Sequence, residues 1–314
     1  MAELTRISKW MPPSQFDTPW EQLRKLPILL PPSHEQRRIS DFLDAETARI
    51  DRLMAARHAQ VAKLTERDYA SVSEALVPGS LTEAADQGIF PWLPKLPEDR
   101  PLVRLGYVCR IQNGLTVDGK RNVTGDAVTR PYLRVANVQA GYVALDSVSE
   151  ITVPRIIAER STLRVGDVLM TEGGDLDKLG RGTVWNGELP GCLHQNHVFA
   201  LRPEKTALDG HYLALMTQTV HGRCYFESTG TKTTNLASTN SRKILGFPIP
   251  LPSLKNQRAL VSQVHKGFQA TAAVRTLLNR QLALLTERRQ ALITAAVTGQ
   301  FDVSTASGRG VDVT

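Results

Sequence analysis

The sequence has little that would place the chain in a membrane or in an oxidising compartment. It contains only three cysteines, Cys109, Cys192 and Cys224, and an odd number of widely spaced cysteines is typical of reduced thiols in a cytoplasm. The longest apolar runs, such as 26–32, are far too short to cross a bilayer, and the first ten residues lack the apolar core of a secretion signal. We therefore expect a cytoplasmic protein.

Motifs for catalysis are also missing. The chain has no Asn/Asp-Pro-Pro-aromatic segment of the kind that holds a flipped adenine in DNA methylases, no glycine-rich cofactor loop and no Walker-type phosphate loop. The Asp-x-Asp-Lys segment at 175–178 has the residue types of a nuclease site, but such acids are also common in plain turns. Cys192, His194 and His197 are zinc-ligand types without the second cysteine pair of a structural site. We predict no catalytic residue and no metal site.

The composition is that of a globular protein with a basic surplus. Hydrophobic residues make up 41% and charged residues 22%, which excludes wholesale disorder and collagen. A formal charge of +7 makes a polyanionic partner plausible. The surplus is uneven, because residues 82–250 have 19 Lys/Arg against 17 Asp/Glu, whereas residues 251–301 have seven against one. The basic segment could track DNA, face acidic patches of a partner protein or simply be solvated.

An internal repeat organises the chain. Segment 26–38 (LPILLPPSHEQRR) recurs as FPIPLPSLKNQRA at 247–259, a shift of 221 positions (247 − 26 = 221). At the same shift the tetrad LTER at 64–67 recurs at 285–288. Two matches without a gap indicate that the two segments share one shape.

Each copy has apolar residues at steps of three and four, the spacing of one helix face. Pro78-Gly79 and Gly299 end the copies, so each helix would span roughly 43 residues. A helix with one apolar face needs a partner, and equal lengths in equal phase predict that the two copies pack as a coiled coil. We expect the pair to be antiparallel, because both ends of the region between the helices must return to the base of the pair. Two unrelated surface helices would leave the matched phase unexplained. The residues predicted to pair are Ile39, Leu43, Leu53, Leu64, Leu260, Val264, Leu282 and Leu285.

The region between the helices has a different pattern. Turn dipeptides such as Asn113-Gly114 and Gly173-Gly174 separate short β-branched or alternating runs, which is typical of strands joined by tight turns. The predicted strands lie at 104–111, 132–138, 167–171 and 197–201, and a short helix is predicted at 208–219. We therefore predict one mixed α/β domain of about 165 residues.

These features make the chain resemble the specificity subunit of type I restriction-modification systems. In that family, long helices alternate with globular target recognition domains that end in segments similar to the repeated FPIPLP motif. Residues 164–175 (RVGDVLMTEGGD), 179–182 (LGRG), 194–197 (HQNH) and 92–97 (WLPKLP) are similar to motifs of the recognition domain. The resemblance covers nearly all of residues 20–301.

The resemblance implies a non-catalytic subunit that reads a two-part DNA sequence with two recognition domains held apart by the helices. Its partners would be double-stranded DNA, modification subunits seated on the helices and a restriction subunit. The modification subunits would bind S-adenosylmethionine and methylate adenine, so no cofactor is expected on this chain. Only one recognition domain is present, however. A truncated gene, an expressed fragment and a half-subunit that forms a homodimer remain open as explanations.

The resulting prediction is an α+β chain in five parts. These are a stub at 1–32 that resembles the end of a missing domain, a spacer helix at 33–80, a recognition domain at 82–252, a second spacer helix at 253–299 and a flexible tail at 300–314.

Three loops and the HQNH segment are the predicted DNA contacts. Their hydroxyl, amide and cationic side chains suit phosphate oxygens and base edges, although each loop could equally be solvated and bind nothing. The predicted DNA-binding residues are Asn113, Thr116, Lys120, Arg121, Lys178, Arg181, Asn196, Lys232, Thr233 and Asn235.

Overall fold

The computed structural model describes residues 19–27, 30–82, 90–116, 125–174, 179–232 and 237–303. They fall into two compact units, one made of the segments up to His58 and from Arg280 onward, the other of Ala59–Asn279. Within these residues, no helix is long and apolar enough to cross a membrane.

Runs of strands and runs of helices follow one another along the chain, which is typical of an α+β protein. The helices are α1 (Trp20–Leu23), α2 (Ser33–Leu76), α3 (Arg155–Ser161), α4 (Gly210–Met216), α5 (Val220–Thr229), α6 (Ser241–Leu245) and α7 (Leu254–Val297). The strands are β1 (Leu102–Arg104), β2 (Cys109–Asn113), β3 (Ala127–Leu133), β4 (Ser149–Pro154), β5 (Val168–Thr171), β6 (Gly173–Gly174), β7 (Gly182–Val184), β8 (Leu193–His194), β9 (Val198–Pro203), β10 (Thr231–Lys232), β11 (Ala237–Ser238) and β12 (Pro248–Pro250).

In the first unit, α2 and α7 run antiparallel. The rings of Phe42 and Phe301 lie 5.6 Å apart, and Asp51 accepts a hydrogen bond of 3.0 Å from Arg289 Nε. From the first contact to the second, the residue numbers rise in the α2 segment and fall in the α7 segment, so the two helices are antiparallel. The least exposed side chains alternate at steps of three and four and are Leu43, Thr47, Ile50, Met54 and Arg57 in α2 and Leu282, Leu285, Arg289, Leu292 and Ala296 in α7.

The same spacing governs the helix segments of the second unit. In α2 the least exposed positions include Val61, Leu64 and Asp68, and in α7 they are Gln257, Val261, Val264, Phe268, Thr271, Arg275 and Leu278. Strict alternation of three and four is the heptad pattern of a coiled coil. The predicted pair of long antiparallel helices is therefore confirmed.

The heptad pattern also corrects one of the predicted pairing residues. Leu53 is 44% exposed, and its neighbour Met54 instead lies at the seam, the row of least exposed side chains along which the two helices pack. A step of three leads from Thr47 to Ile50, so the next step along the seam must be four. The other predicted residues lie on or beside the seam: Val264 and Leu282 are buried, and Ile39, Leu43, Leu64, Leu260 and Leu285 are half-buried.

A four-stranded antiparallel sheet with the order β2-β9-β5-β7 forms the centre of the second unit. Side chains alternate between its faces: Val168 and Met170 of β5 join one apolar cluster, and Leu169 joins another around Trp185. Both faces are covered, which explains the nearly continuous apolar run of β9. The smaller sheets are β4-β3-β8, β10-β11-β6 and β1-β12.

Two of the predicted strands are shorter than their sequence runs. The run at 104–111 contains a 3₁₀ turn, Leu105–Tyr107, which turns the fully buried Leu105 into the core. The run at 132–138 ends in a second 3₁₀ turn, where Asn137 accepts a hydrogen bond from Arg134 N and donates to two loop carbonyls. Local sequence pattern does not distinguish such turns from a continuing strand.

The repeated Gln-Arg motif has a structural role at the start of α7. Gln257 is fully buried, accepts a hydrogen bond from Asp209 N at 2.9 Å and donates to the carbonyls of Ala207 (2.9 Å) and Pro252 (2.8 Å). It therefore ties the helix to the globular part of its unit. At the repeat position in the first unit, Gln36 donates to the Pro31 carbonyl at 2.7 Å.

A buried histidine joins both ends of the globular part. Trp92 Nε1 donates to Nδ1 of His221 at 3.1 Å, and Nε2 of His221 lies 2.7 Å from the Pro248 carbonyl. Indole nitrogen only donates and a carbonyl only accepts, so the ring is neutral with its proton on Nε2. Burial lowers the pKa of His221.

This histidine predicts a loss of stability in acid. An unfolded histidine has a pKa of about 6.5, so the unfolded chain takes up the proton first. The stabilisation is present above that pH and is lost as the pH falls below it. We expect the urea midpoint to fall between about pH 7.5 and pH 5. His221→Gln, which keeps both hydrogen bonds without titrating, should show a smaller fall, and an equal fall would contradict the assignment.

Candidate nucleic-acid interface

The predicted DNA-contact loops start from one edge of the central sheet. Asn113, the last residue of β2, pairs with Phe199 near the start of β9, and Thr171 at the end of β5 pairs with Val198. Arg181 directly precedes β7, whose first residue pairs with Met170. Antiparallel pairing therefore brings segments far apart in sequence to the same edge.

The first loop is held against the HQNH segment by its backbone. Leu115 N donates to the His194 carbonyl at 2.8 Å, and Asn196 N donates to the Leu115 carbonyl at 3.0 Å. Gly114 makes this approach possible, because a Cβ there would overlap the carbonyl oxygens of His194 and Gln195. These bonds fix the direction in which the loop leaves β2.

The second and third loops are joined to the same segment. Glu172 N donates to the His197 carbonyl at 2.8 Å, and Thr239 N donates to the Glu172 carbonyl at 2.7 Å. The paired glycines of β6 then pair with β11, which in turn pairs with β10. A series of backbone hydrogen bonds therefore connects the beginnings of the first and second loops with both strands that flank the third.

A histidine–carboxylate pair lies in the middle of this edge. His197 Nδ1 is 2.5 Å from Glu172 Oε2, and the two side chains are 53% and 35% exposed. The contact fixes the plane of the imidazole and leaves Nε2 for a ligand. Such a nitrogen can donate to or accept from a base edge, depending on its protonation.

The cysteine and histidines of the zinc motif point to different surroundings. His194 is fully buried, its Nδ1 contacts the Val198 carbonyl at 2.7 Å, and burial lowers its pKa. Cys192 is also buried, which raises the pKa of its thiol to about 12. His197 instead faces Glu172. Within the described segments, no three histidine, cysteine or acidic residues come together as metal ligands.

The structure gathers part of the predicted set of DNA-binding residues. Asn113 and Thr116 are exposed at the edge, Asn196 and Arg181 are half-buried beside it, and Lys232 belongs to β10. The remaining predicted residues, Lys120, Arg121, Lys178, Thr233 and Asn235, lie outside the described residues, as do the acids of the 175–178 segment.

Sequence reasoning missed two residues of this region. Glu172 orients His197, and Lys243 Nζ donates to Thr231 Oγ1 of β10 at 2.7 Å, which adds a half-buried cation. Both partners are distant in sequence, so no local pattern signals them. The turn dipeptides predict where the loops lie but not which distant side chains meet there.

Three of the seven cations in the α7 segment lie close to aspartates of the same chain, which reduces the unpaired positive charge on the surface of the helix. Arg275 pairs with Asp68, Arg289 pairs with Asp51, and Arg258 lies 3.7 Å from an Asp209 oxygen. The remaining cations of this segment are exposed and are Lys255, Lys266, Arg280 and Arg288. Part of the charge therefore serves contacts within the chain.

Comparison with known proteins gives a consistent result. The chain is 25% identical over 294 residues to the type I restriction enzyme EcoKI specificity subunit of Escherichia coli K12, covering 92% of this chain and 59% of that protein. It is 24% identical over 295 residues to the StySPI specificity subunit of Salmonella potsdam, with the same coverages. The chain thus spans about three-fifths of the length of these relatives. No protein-family profile matches.

The fold has a solved counterpart. A chain from the structure described as "Structural basis underlying complex assembly and conformational transition of the type I R-M system" superposes with a TM-score of 0.62 at 24% identity. The match covers 86% of this chain and 60% of that one. In sequence, the chain is similar to the specificity subunits of type I restriction enzymes, and in fold it is similar to a chain of a type I restriction-modification system.

Proposed function

We propose that the globular part of the second unit reads DNA sequence, at the sheet edge that carries Asn113, Thr116, Asn196 and His197. The observation that carries this proposal is the convergence of the three loops. Their ends are brought to one edge by β2, β5 and β9 and are joined by backbone hydrogen bonds. A rigid framework that presents polar loops is the arrangement expected of a protein that recognises a DNA sequence.

In this proposal the chain is non-catalytic and acts with other subunits in the cytoplasm. Modification subunits that bind S-adenosylmethionine would methylate adenine, and a restriction subunit would cut unmodified DNA. Exposed apolar residues of α7 that do not pair with α2, such as Val274 (46% exposed) and Leu277 (61%), would dock a modification subunit. The relatives named as specificity subunits support this arrangement.

Charge predicts that partner subunits strengthen DNA binding. Residues 82–250 are nearly balanced, with 19 Lys/Arg against 17 Asp/Glu, and phosphate neutralisation supplies most of the affinity of DNA-binding proteins. The chain without partner subunits should therefore bind DNA weakly, because most of its surplus charge lies on α7 and not on this region. Binding by the complex with modification subunits should be tighter and should weaken more steeply as salt rises.

Methylome sequencing tests the proposal directly. Cells would express this chain with its modification subunit, and a new methyladenine motif is the expected result. A palindromic two-part motif would mean that two copies assemble into a homodimer, and an asymmetric motif would mean that one copy acts with a different recognition domain. If no motif appears while the modification subunit still copurifies with the chain, the chain is a scaffold or a remnant and the proposal fails.

A matched pair of variants locates the reading surface. Thr116→Ala removes an exposed hydroxyl at the proposed edge, whereas Thr206→Ala removes one beyond the opposite end of β9. We expect relaxed or weakened methylation at one position of the motif for Thr116→Ala only. Each lost base contact is worth about 1–3 kcal/mol. Equal methylation patterns in the two variants would count against this surface.

A further inference from the structure

A second polar region lies at the other end of the central sheet. A cavity of about 260 Å³ is lined there by Asp167, which precedes β5, and by Arg202 and Pro203, which end β9. Five steps along the chain lead from His197 at the proposed reading edge to Arg202 in the cavity, a distance of about 17 Å at roughly 3.3 Å per residue. The cavity is therefore a separate site from the loops.

A buried ion pair forms the base of the cavity. Asp167 is 1% exposed, and its carboxylate accepts hydrogen bonds from Arg202 Nε (2.8 Å), Arg202 Nη2 (2.7 Å) and Arg164 N (2.9 Å). This fixes the guanidinium plane of Arg202. Its Nη1 has no hydrogen-bond partner within the described part of the chain, so the two N–H groups of Nη1 and the second N–H of Nη2 remain for a ligand.

Three further cations surround the opening. The side chains of Arg164 and Lys205 are exposed and have no ion pair or hydrogen bond among the described residues. Arg258 comes from α7 and lies 3.7 Å from Asp209, whose carboxylate also accepts two backbone N–H bonds from the first turn of α4. Four cations against two carboxylates leave a charge of +2, which matches a phosphate dianion.

The cavity has room for more than a phosphate ion. Its volume of about 260 Å³ is several times the roughly 30 Å³ share of a water molecule and close to the lower end, about 300 Å³, of ligand pockets. Leu208, Val165 and Leu254 supply an apolar wall beside the cations. An organic group attached to the phosphate would contact that wall.

We propose that this cavity binds a small phosphate ester, of nucleoside-monophosphate size or smaller. The phosphate would be held by Arg164, Lys205 and the unused edge of Arg202, since arginine forks match phosphate oxygens in pairs. Arg258 would close the side formed by α7. The phosphate could belong to a free metabolite or to a nucleic-acid end, and the chemistry of recognition is the same.

Calorimetric titration of the purified full chain with inorganic phosphate and with adenosine monophosphate tests the site. We expect both to bind, the ester more tightly. The double variant Arg164→Ala/Lys205→Ala should weaken binding about tenfold or more, because charge-assisted hydrogen bonds are lost. The control Arg160→Ala/Lys95→Ala removes the same charges from exposed positions outside the cavity and should bind like the unaltered chain. Thermal unfolding would verify that both variants fold.

Absence of binding by the unaltered chain, or equal weakening in the two double variants, would overturn the proposal. Competition by an oligonucleotide with a 5′-phosphate, but not by the same strand without it, would identify a nucleic-acid end as the source. Displacement only by small esters would identify a free metabolite. The methylation motif should be unchanged in Arg164→Ala/Lys205→Ala, so failure of this site and failure of DNA reading are distinguishable.

Discussion

Gly114→Ala is expected to abolish sequence-specific methylation by the assembled complex while leaving the paired helices folded. The added methyl group would overlap two backbone carbonyl oxygens of the HQNH segment, and backbone cannot move aside as a flexible side chain can. The two hydrogen bonds of Leu115 would then be lost. At about 1–2 kcal/mol each, about 2–4 kcal/mol of the free energy that holds the loop would be lost, which would weaken target binding by up to about 1000-fold.

The matched control is Gly267→Ala in the middle of α7, where an added Cβ meets nothing within 4 Å. It should keep its methylation pattern and gain about 0.5–1 kcal/mol of stability, because alanine loses less backbone entropy in a helix. The measurements are methylome sequencing, circular dichroism and target binding by fluorescence anisotropy. Normal methylation by Gly114→Ala would show that the approach of the first loop to the HQNH segment is irrelevant to recognition.

Asp68→Ala is expected to cause a large loss of stability in the coiled coil. Its carboxylate accepts hydrogen bonds from Arg275 Nη2 (2.6 Å) and Thr271 Oγ1 (3.0 Å), and Asp68 and Arg275 are 14% and 34% exposed. Removing the acid leaves a cation in the seam without its partner. Breaking a fully buried pair costs about 3–5 kcal/mol, and partial exposure of Arg275 reduces the expected loss to about 2–3 kcal/mol.

Asp51→Ala provides the comparison, since it breaks an ion pair between the same two helices. The Arg289–Asp51 pair is 40% and 53% exposed, so its loss should cost less than about 1 kcal/mol. Urea unfolding of both variants measures the difference. The double variant Asp68→Ala/Arg275→Met should recover much of the stability, because the unpaired charge is gone. Equal midpoints for Asp68→Ala and Asp51→Ala would refute a buried polar layer in the seam.

The helix pair could be predicted from the sequence because its signal is repeated. A 221-residue shift matches the segments that begin and line both helices, and a heptad spacing on two helices of equal length favours a coiled coil. Which of Leu53 and Met54 lies between the helices became clear only from the exposure of their side chains in the structure. Apolar character favours Leu53, whereas the alternation of steps places Met54 at the interface.

The globular part was predictable as a class but not in its details. The buried run of β9 and the turn dipeptides identify strands, yet the 3₁₀ turn at Leu105 depends on contacts with the end of the domain, more than 100 residues away. The same limit applies to the site. The turn dipeptide Asn113-Gly114 is enough to predict the loop that carries Thr116, whereas Glu172 became visible only when β5 and β9 brought it beside His197.

The pairing of β1 with β12 bears on how easily the whole globular domain could be exchanged for another. Leu102 lies opposite Pro250 and Arg104 opposite Pro248, so the globular domain starts and finishes on neighbouring strands, about 5 Å apart. A domain with adjacent ends can be replaced as a cassette without moving the helices on either side. Because the FPIPLP segment at its end has a similar copy, LPILLP, before α2, the chain has two equivalent junctions at which a whole domain could be inserted or exchanged.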